Sequence, residues 1–248
     1  MADVSILMPV YNEHPTIADA VDQVLTAKLP VADVELVIVD DHSTDGTREW
    51  LRDQHWPEQV RLVLHDRNRG KGAAIATALE HARGTYATIL DADLEYDAAN
   101  IGPLLGPLLR GDADAVYGVR GFDAHSAYSF WYVVGNKLVT TAANALYNTW
   151  LSDIMTCQKV LPTDLFRALN LRESGFAFEA EVTARLMRAG VRIYEVPITY
   201  QARSREEGKK LTARDGLRVL RTLVRCRFDR CTLIDPSRHI PRPPGASA

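Results

Sequence analysis

This 248-residue sequence contains only three cysteines, Cys157, Cys226 and Cys231, and so gives little support for disulfide bonds. The cysteines are odd in number, and no two of them stand in a CxxC pair. Small secreted domains that depend on disulfides show the opposite pattern, with many cysteines in even numbers. The sequence therefore excludes a disulfide framework and favours a reducing, cytoplasmic setting.

Long apolar runs are also missing. None approaches the roughly 18 to 20 residues that a membrane-spanning helix requires. The short apolar run at residues 4–8 has no basic segment or cleavage site in front of it, so it predicts a first strand and not a signal peptide. Any contact with a membrane is therefore expected to be peripheral, at the inner face.

An excess of basic charge is absent as well. The formal net charge of -3 argues against a general nucleic-acid binder, because binding to a phosphate backbone draws on a large basic surface. Hydrophobic residues make up 46% and charged residues 25% of the chain, which is typical of a soluble globular protein. An α/β fold of this length can form one domain with a substantial core.

The first 120 residues alternate between short apolar runs rich in β-formers and segments with helical spacing. This alternation predicts βαβ units and a mostly parallel sheet. The strands are apolar throughout, as expected when helices cover both faces of the sheet. The predicted strands are 4–10, 34–40, 60–65, 86–90 and 115–119, and the predicted helices are 16–27, 44–53, 71–82 and 100–109.

The second half of the chain has a more helical pattern. Pro197 separates two strand-like segments, which predicts an edge strand or a bend. The sequence thus predicts one α/β domain over residues 1–235, with halves at 1–120 and 121–235, and a disordered tail at 236–248. The predicted helices of the second half are 130–150, 163–169, 178–189 and 211–228, and its strand segments are 192–196 and 198–201.

Acidic side chains gather where three of the predicted strands end. They lie in residues 11–13, 40–45 and 91–95. Ligands of an open α/β sheet bind beyond the carboxyl ends of its strands, so the three clusters are expected to converge on one crevice. Any one cluster alone is more often a helix cap or a solvated loop than a functional site. Their presence at three strand ends of one array favours a shared site.

The DxD spacing of Asp91 and Asp93 indicates a metal ion. Converging carboxylates repel one another unless a cation neutralises them, and Mg²⁺ and Mn²⁺ prefer oxygen ligands. Side chains at i and i+2 of an extended segment share a face, so both residues are predicted to bind one divalent ion, with Glu95 on the same face. Such an ion would bridge the two phosphates of a nucleoside diphosphate.

A glycine turn, Gly70-Lys71-Gly72, opens the third predicted helix. Glycines allow a backbone to approach a ligand closely, and a lysine at a helix N-terminus favours phosphate. The turn is not a P-loop, because GxxxxGK[ST] is absent. It is therefore either a phosphate-binding turn or an ordinary glycine turn.

These residues together resemble the family 2 glycosyltransferases, which have the GT-A fold, a Rossmann-like, mostly parallel sheet flanked by helices. The similarity runs from Ser5 to about Phe228. Within the family, the chain is most similar to the polyprenyl-phosphate (dolichyl-phosphate) mannosyl- and glucosyltransferases. The resemblance is carried by residues 8–13, 39–47, 68–72 and 91–95, and its placement in that branch by 135–136, 156–160, 178–181 and 207–211.

The resemblance implies a role for each matching position. It makes residues 1–120 the nucleotide-sugar-binding half and residues 121–235 the acceptor side. Glu95 stands where the branch commonly has glutamine. The implied nucleotide-sugar-binding residues are Pro9, Tyr11, Glu13, Asp40, Asp41, Lys71, Gly72, Asp91 and Ala92; the metal ligands for Mg²⁺ or Mn²⁺ are Asp91, Asp93 and Glu95; and the catalytic set is Asp93 with the phosphate-binding Arg120, Arg203 and Lys209.

The general base of the reaction is not evident in the sequence. Family 2 enzymes are similar in inverting the anomeric centre by direct displacement, and many carry a Glu-Asp pair and a QxxRW motif, neither of which occurs here in that form. Glu179 and Glu181 lie near the expected region but also suit a polar helix face. A phosphate acceptor is already anionic and requires cations instead of a base, which favours a lipid phosphate as acceptor.

Other functions stay open at this point. A soluble hydroxyl acceptor fits the lack of membrane-spanning segments. A sugar nucleotidyltransferase usually has a GxGxR-like loop after its first strand, where this chain has residues 9–13 instead. A non-catalytic nucleotide-sugar binder would not require both aspartates of the DxD motif and Lys209. UDP-linked and GDP-linked donors fit the motifs equally.

The last predicted helix has two chemically different faces. Leucines and Val224 recur at helical spacing on one of them, and arginines on the other. A basic amphipathic helix either lies on an anionic membrane surface or packs its apolar face on the core with the arginines in solvent. The apolar residues are Leu217, Leu220, Leu223 and Val224, and the arginines are Arg214, Arg218, Arg221 and Arg225.

Overall fold

Seven strands form one sheet in the computed structural model, which describes residues 3–121, 130–202, 213–229 and 234–241. The strands are β1 (Val4–Val10), β2 (Val34–Asp40), β3 (Val60–Leu64), β4 (Tyr86–Ile89), β5 (Ala115–Arg120), β6 (Lys159–Pro162) and β7 (Ile193–Ile198). Their order across the sheet is β3-β2-β1-β4-β6-β5-β7. Only β6 is antiparallel to its neighbours, so the predicted mostly parallel α/β sheet is confirmed.

Eight α-helices lie in the described residues. They are α1 (Ile17–Thr26), α2 (Thr47–Asp53), α3 (Lys71–His81), α4 (Ile101–Leu109), α5 (Phe130–Tyr147), α6 (Thr163–Ala168), α7 (Phe178–Ala189) and α8 (Ala213–Phe228). Among these residues, none of the helices combines the length and the hydropathy of a membrane-spanning segment.

The hydrophobic core lies on both faces of the sheet, which explains why the strands are apolar without alternation. In β1, the side chains of Ile6 and Met8 belong to one buried cluster and that of Leu7 to the opposite one. Helices α1 and α4 cover the first face, and α3, α6 and α7 cover the second. A third cluster joins α5, α7 and α8 beside the sheet.

Strand β6 is the one strand that the sequence pattern does not predict. It has four residues, all buried, and it pairs with β4 through Val160 and Leu161. Its first residue is the buried Lys159, and a charged side chain does not indicate a buried strand position. A run this short, with a lysine at one end and a proline at the other, has no detectable period.

Pro197 lies inside β7 and does not divide it. The strand runs continuously to Ile198 and pairs only with β5 at the edge of the sheet. An edge strand tolerates proline because its outer side has no ladder to complete. The expected edge position is therefore confirmed, and the expected division into two segments is wrong.

The predicted disordered tail begins with ordered residues. Pro236–Arg238 form a 3-10 turn that Asp235 caps by accepting a hydrogen bond from the Ser237 backbone nitrogen. Ile234 and Ile240 pack against the core under the second face of the sheet. Residues 242–248 lie outside the described part of the chain.

Candidate active site

The connections of the sheet reverse direction between β1 and β4. From β1 the chain proceeds through α1 and β2 to β3 on one side, and then returns through α3 to β4 on the other side. The ladder between β1 and β4 ends at the Leu7–Ile89 pair, so beyond this point β1 has only β2 as a neighbour. Pro9 is accommodated in this one-sided stretch. The ladder thus ends at the switch point of the sheet, where α/β proteins bind ligands and where the predicted crevice would lie.

The loops after β1 and β2 are bonded to each other. The backbone nitrogen of Asn12 donates to Ser43 Oγ (2.9 Å), and that of Thr44 donates to Asn12 Oδ1 (2.8 Å). The backbone nitrogen of Glu13 donates to Thr47 Oγ1 (3.0 Å), which joins the first loop to the start of α2. The polar residues of these two loops therefore form one rigid rim of the crevice.

Each of the three acidic strand ends carries a non-glycine residue in the left-handed region. These residues are Asn12 (φ 55°), His42 (φ 66°) and Leu94 (φ 60°). The conformation is sparsely populated, above all for leucine, and it persists only where the surrounding structure imposes it. Its recurrence at all three loops fits a site that the fold holds in a fixed shape.

Asp40 and Asp41 are buried and hold the loops around them. Asp40 accepts a hydrogen bond from the Ser43 backbone nitrogen (3.2 Å) and forms an ion pair with Arg48 (3.4 Å). Asp41 Oδ1 lies 2.7 Å from His65 Nδ1. Both carboxylates are thus buried and engaged by groups of the surrounding loops.

The turn that precedes α3 is held in place by the carboxylate of Asp41. Its two oxygens accept hydrogen bonds from the backbone nitrogens of Arg69 (2.8 Å) and Gly70 (2.7 Å). Gly70 has a φ of 91°, which glycine adopts without strain. A Cβ on Gly72 would collide with the carbonyl oxygen of Glu173, so only glycine fits there. The predicted glycine turn is thus held by Asp41 on one side and packed against the backbone of Glu173 on the other.

Lys71 joins this turn to the DxD segment. Its Nζ lies 2.6 Å from Asp91 Oδ2 and 3.0 Å from Cys157 Sγ. Burial alone would lower the pKa of Lys71, but the charges of Asp91, Cys157 and Glu179 outweigh burial and raise it well above its ordinary value. Lys71 is therefore a permanent cation beside the acidic segment.

Asp93 carries the most perturbed carboxyl group of the crevice. Burial, together with repulsion from Asp91 and Glu95, raises its pKa to about 7. Its Oδ1 accepts a hydrogen bond from the Glu95 backbone nitrogen (3.0 Å), which lowers the pKa but does not compensate. The segment therefore holds more negative charge than Lys71 neutralises, which is the condition that a divalent cation relieves.

The three predicted metal ligands do not form one cluster. Glu95 Oε2 accepts a hydrogen bond from the Tyr200 hydroxyl (2.7 Å), and Asp91 is paired with Lys71. In the described part of the chain, no group of three His, Cys, Asp or Glu side chains is arranged to hold a metal ion. Asp91 and Glu95 are thus each engaged by another side chain in this structure.

A second cleft adjoins the acidic segment through Tyr200. Arg120, at the end of β5, lies on its wall and forms two hydrogen bonds with Asp153 (2.6 and 2.9 Å). Burial would lower the pKa of Arg120, but Tyr96 and Asp153 raise it well above its ordinary value. The predicted phosphate-binding arginine is therefore a fixed cation that already has a carboxylate partner. The cleft is lined by Arg120, Gly121, Tyr132, Val133, Asn136, Lys137, Asp153 and Tyr200.

Glu179 and Glu181 are not a solvated helix face. Both are buried in α7, at 4% and 0% exposure. Glu179 forms an ion pair with the fully buried Lys159, and Glu181 forms one with Arg185 (2.9 Å). The sequence analysis does not predict the positions of Lys159 and Asp153, because nothing in the neighbouring sequence indicates that a charged residue is buried.

The remaining predicted site residues occupy different environments. Tyr11 is 38% exposed, Ala92 is buried, and Glu13 accepts a hydrogen bond from Thr16. Arg203 and Lys209 lie outside the described residues. Among the predicted residues, the structure joins Asp41 to the glycine turn and Lys71 to Asp91, and the roles of the others, Arg203 and Lys209 included, stay predictions.

The sequence of this chain matches the model of the family described as Glycosyl transferase family 2 over residues 5–169. Glycosyltransferase AglJ of Haloferax volcanii is 31% identical over 81% of this chain and 63% of its own length. The undecaprenyl-phosphate 4-deoxy-4-formamido-L-arabinose transferase of Aeromonas hydrophila is 30% identical over 60% of this chain and 46% of its own length. The chain thus spans about half to two thirds of these curated relatives.

A similar fold occurs in glucosyl-3-phosphoglycerate synthase from Mycobacterium tuberculosis, solved with Mn²⁺, UDP-glucose and phosphoglyceric acid. The TM-score is 0.69 at 20% sequence identity, over 91% of this chain and 80% of the synthase. This likeness shows the fold, which is the predicted GT-A fold. The family match covers most of the chain, and its residues include the acidic strand ends and the glycine turn. The chain belongs to glycosyl transferase family 2.

Proposed function

We propose that this chain transfers a sugar from a nucleoside diphosphate sugar to a polyprenyl phosphate, with inversion at the anomeric carbon and with the help of Mg²⁺ or Mn²⁺. The observation that carries the proposal is the ion pair of Lys71 with Asp91 (2.6 Å) beside Asp93, whose pKa is raised to about 7. This arrangement supplies a cation for phosphate and carboxylates for a metal within one site.

The donor would lie across the crevice between β1 and β4. The base and ribose would lie between the loop with Tyr11 and Glu13 on one side and the turn at Gly70 and Gly72 on the other. The N-terminus of α3 carries the positive end of the helix dipole, which favours a diphosphate beside Lys71.

A divalent ion fits the surplus negative charge at the DxD segment. Asp91 and Asp93 would hold it, and it would supply charge stabilisation to the departing nucleoside diphosphate. Lys71 would then exchange its contact with Asp91 for one with a phosphate oxygen. Glu95 would stay with Tyr200 and set the position of the acidic segment relative to the second cleft.

Binding of Mn²⁺ is expected to strengthen as the pH rises through about 7. The folded pKa of Asp93, about 7, lies above its ordinary value of 3.8, so the folded protein binds an extra proton between these two pH values. In the absence of metal, this proton stabilises the folded protein. The stabilisation is complete below about pH 4 and is lost as the pH rises through about 7. Thermal unfolding at pH 6, 7 and 8 with and without Mn²⁺ measures both effects. A Mn²⁺-induced shift in Tm that is independent of pH would contradict the assignment of Asp93.

The acceptor would enter through the second cleft. Arg120 and Lys137 line it, and Tyr200 joins it to Glu95. A phosphate acceptor requires cations and no base, and Glu179 and Glu181 are both buried in ion pairs. The similarity to an undecaprenyl-phosphate transferase supports a lipid phosphate. Arg203 and Lys209 remain the predicted further cations.

A phosphorylated small molecule is the second candidate acceptor. The structurally similar synthase was solved with phosphoglyceric acid, and the second cleft has two basic side chains, Arg120 and Lys137, on its wall. A small acceptor of this type would present a hydroxyl as nucleophile and its phosphate as the group that Arg120 and Lys137 position. This reaction would then require a general base.

A donor and acceptor panel tests the proposal. The full chain is given Mn²⁺ and UDP- or GDP-linked sugars with a polyprenyl phosphate, the matching polyprenol or 3-phosphoglycerate, and sugar transfer is measured by product mass. We expect transfer to the polyprenyl phosphate and none to the polyprenol. Transfer to 3-phosphoglycerate alone would favour the second candidate, and nucleotide release without any acceptor product would contradict both.

A further inference from the structure

Two kinds of side chain are exposed on α8 among its residues 214–228. Between Arg214 and Phe228, every exposed position is an arginine or a large apolar residue. The apolar residues are Leu217, Val224 and Phe228, which are 71%, 46% and 73% exposed. The exposed arginines are Arg214, Arg218, Arg221, Arg225 and Arg227.

The three apolar residues form one stripe along the helix. Their spacing of i, i+7 and i+11 places them on the same side of a helix with 3.6 residues per turn. The opposite side of α8 packs against α5 and α7 through Val219, Leu223 and Cys226. Grouping Leu217 and Val224 with the core-facing leucines on sequence spacing alone is therefore wrong. Core packing accounts for one face of α8 and leaves the apolar stripe unexplained.

The charge of α8 selects the type of surface that it fits. The helix carries five arginines and one acidic residue, the half-buried Asp215, in a chain whose net charge is -3. Helices that lie in a membrane interface combine a basic face with apolar side chains that enter the acyl boundary. Arginine has a long stem that lets its charged group stay at the lipid phosphates while the neighbouring residues insert. We propose that α8 docks the chain on an anionic lipid bilayer, with Leu217, Val224 and Phe228 inserted.

The docking surface lies one loop away from the nucleotide site. Thr222 Oγ1 donates a hydrogen bond to Glu173 Oε1 (3.0 Å), and Arg225 forms an ion pair with the same oxygen (2.8 Å). The backbone nitrogen of Gly72 donates to the Ser174 carbonyl (2.7 Å), so the same loop contacts the glycine turn. Docking through α8 would hold the site beside the bilayer, where a lipid-phosphate acceptor resides. This consequence rests on the proposed function, whereas the docking itself does not.

Vesicle co-sedimentation of the full chain tests the docking. At physiological ionic strength, we expect vesicles of phosphatidylglycerol and phosphatidylcholine to bind the chain at least about tenfold more tightly than phosphatidylcholine alone. The double variant Arg218→Glu/Arg221→Glu should lose about tenfold or more of this affinity, since each arginine near the surface contributes roughly fivefold. Leu217→Ser/Phe228→Ser should also lose about tenfold or more and should stay weak when the salt concentration is lowered. Vesicle binding by either double variant at the parent's affinity overturns the docking.

Matched controls come from exposed residues elsewhere on the fold. Arg52→Glu/Arg83→Glu changes the net charge equally, and Leu109→Ser removes an exposed leucine from α4. Both should bind vesicles as the parent does. Absence of binding to any vesicle, or equal binding to neutral and anionic vesicles, overturns the docking and leaves an acidic protein as the partner of this face. Vesicle binding without transfer to a detergent-solubilised polyprenyl phosphate would contradict the proposed function alone.

Discussion

Replacement of Asp93 by Asn is expected to lower sugar transfer by about 10³-fold or more, which corresponds to about 4 kcal/mol of transition-state stabilisation. Asp93 is the carboxyl group that burial and the neighbouring charges of Asp91 and Glu95 destabilise most. A carboxylate held in that state gains most when a cation arrives. An amide of the same shape removes the charge and leaves the fold in place.

The stability of the same variant separates loss of function from loss of fold. Because the ionised Asp93 is unfavourable without metal, Asp93→Asn should have a Tm at pH 8 equal to or above that of the parent. Asp91→Asn should also lose transfer, but its Tm should fall, since Lys71 then keeps its charge in a largely buried position without its ion-pair partner. The two aspartates thus have similar effects on activity and opposite effects on stability.

The control for this pair is Asp53→Asn on the exposed end of α2, which should change neither transfer nor Tm. The Mn²⁺-dependent increase in Tm should disappear in Asp93→Asn and persist in Asp53→Asn. Near-parental turnover in Asp93→Asn at saturating donor would exclude Asp93 as a metal ligand and would leave the carboxylates as structural groups.

The sequence predicts the half of the molecule in which local patterns determine the structure. The predicted boundaries of β1 and β2 agree with the structure to the residue, because each apolar run lies between a turn and an acidic cluster that mark its two ends. The GT-A fold and the crevice follow from the order of these elements. The contact between Lys71 and Asp91 does not, since it depends on where α3 begins relative to β4.

Charge partners across the fold are the part that sequence patterns could not supply. The family resemblance implies that Arg120 binds phosphate, but its partner Asp153 lies 33 positions away in a loop with no regular period. Likewise, the pattern placed Glu179 and Glu181 on a helix face without indicating which cations meet them. Long-range pairing in a mixed sheet brings Lys159 of β6 beneath α7, and no local rule contains that information.

The buried pair of Lys159 and Glu179 is expected to give the largest effect on stability. Lys159 is fully buried and also donates to the Thr156 carbonyl, and its Nζ lies 4.9 Å from the centre of the Tyr117 ring. Removing one partner of a buried ion pair typically costs about 3–5 kcal/mol, because the other charge is left uncompensated. For a domain of this size, Glu179→Ala should therefore lower the Tm by roughly 6–20 °C. Differential scanning calorimetry measures this shift.

The cost should arise from the orphaned lysine and not from the lost glutamate itself. The double variant Lys159→Met/Glu179→Gln removes both charges and should recover at least half of the lost Tm, whereas Glu80→Ala on the exposed face of α3 should leave it unchanged. Glu179→Gln also distinguishes a structural partner from a catalytic base. A structural Glu179 predicts a lower Tm with kcat reduced less than about tenfold well below the transition, while a base would lose about 10²-fold or more. If a Glu179 variant keeps the parental Tm but loses most of its kcat, Glu179 takes part in catalysis. The second cleft would then be better explained as the binding site of a hydroxyl acceptor.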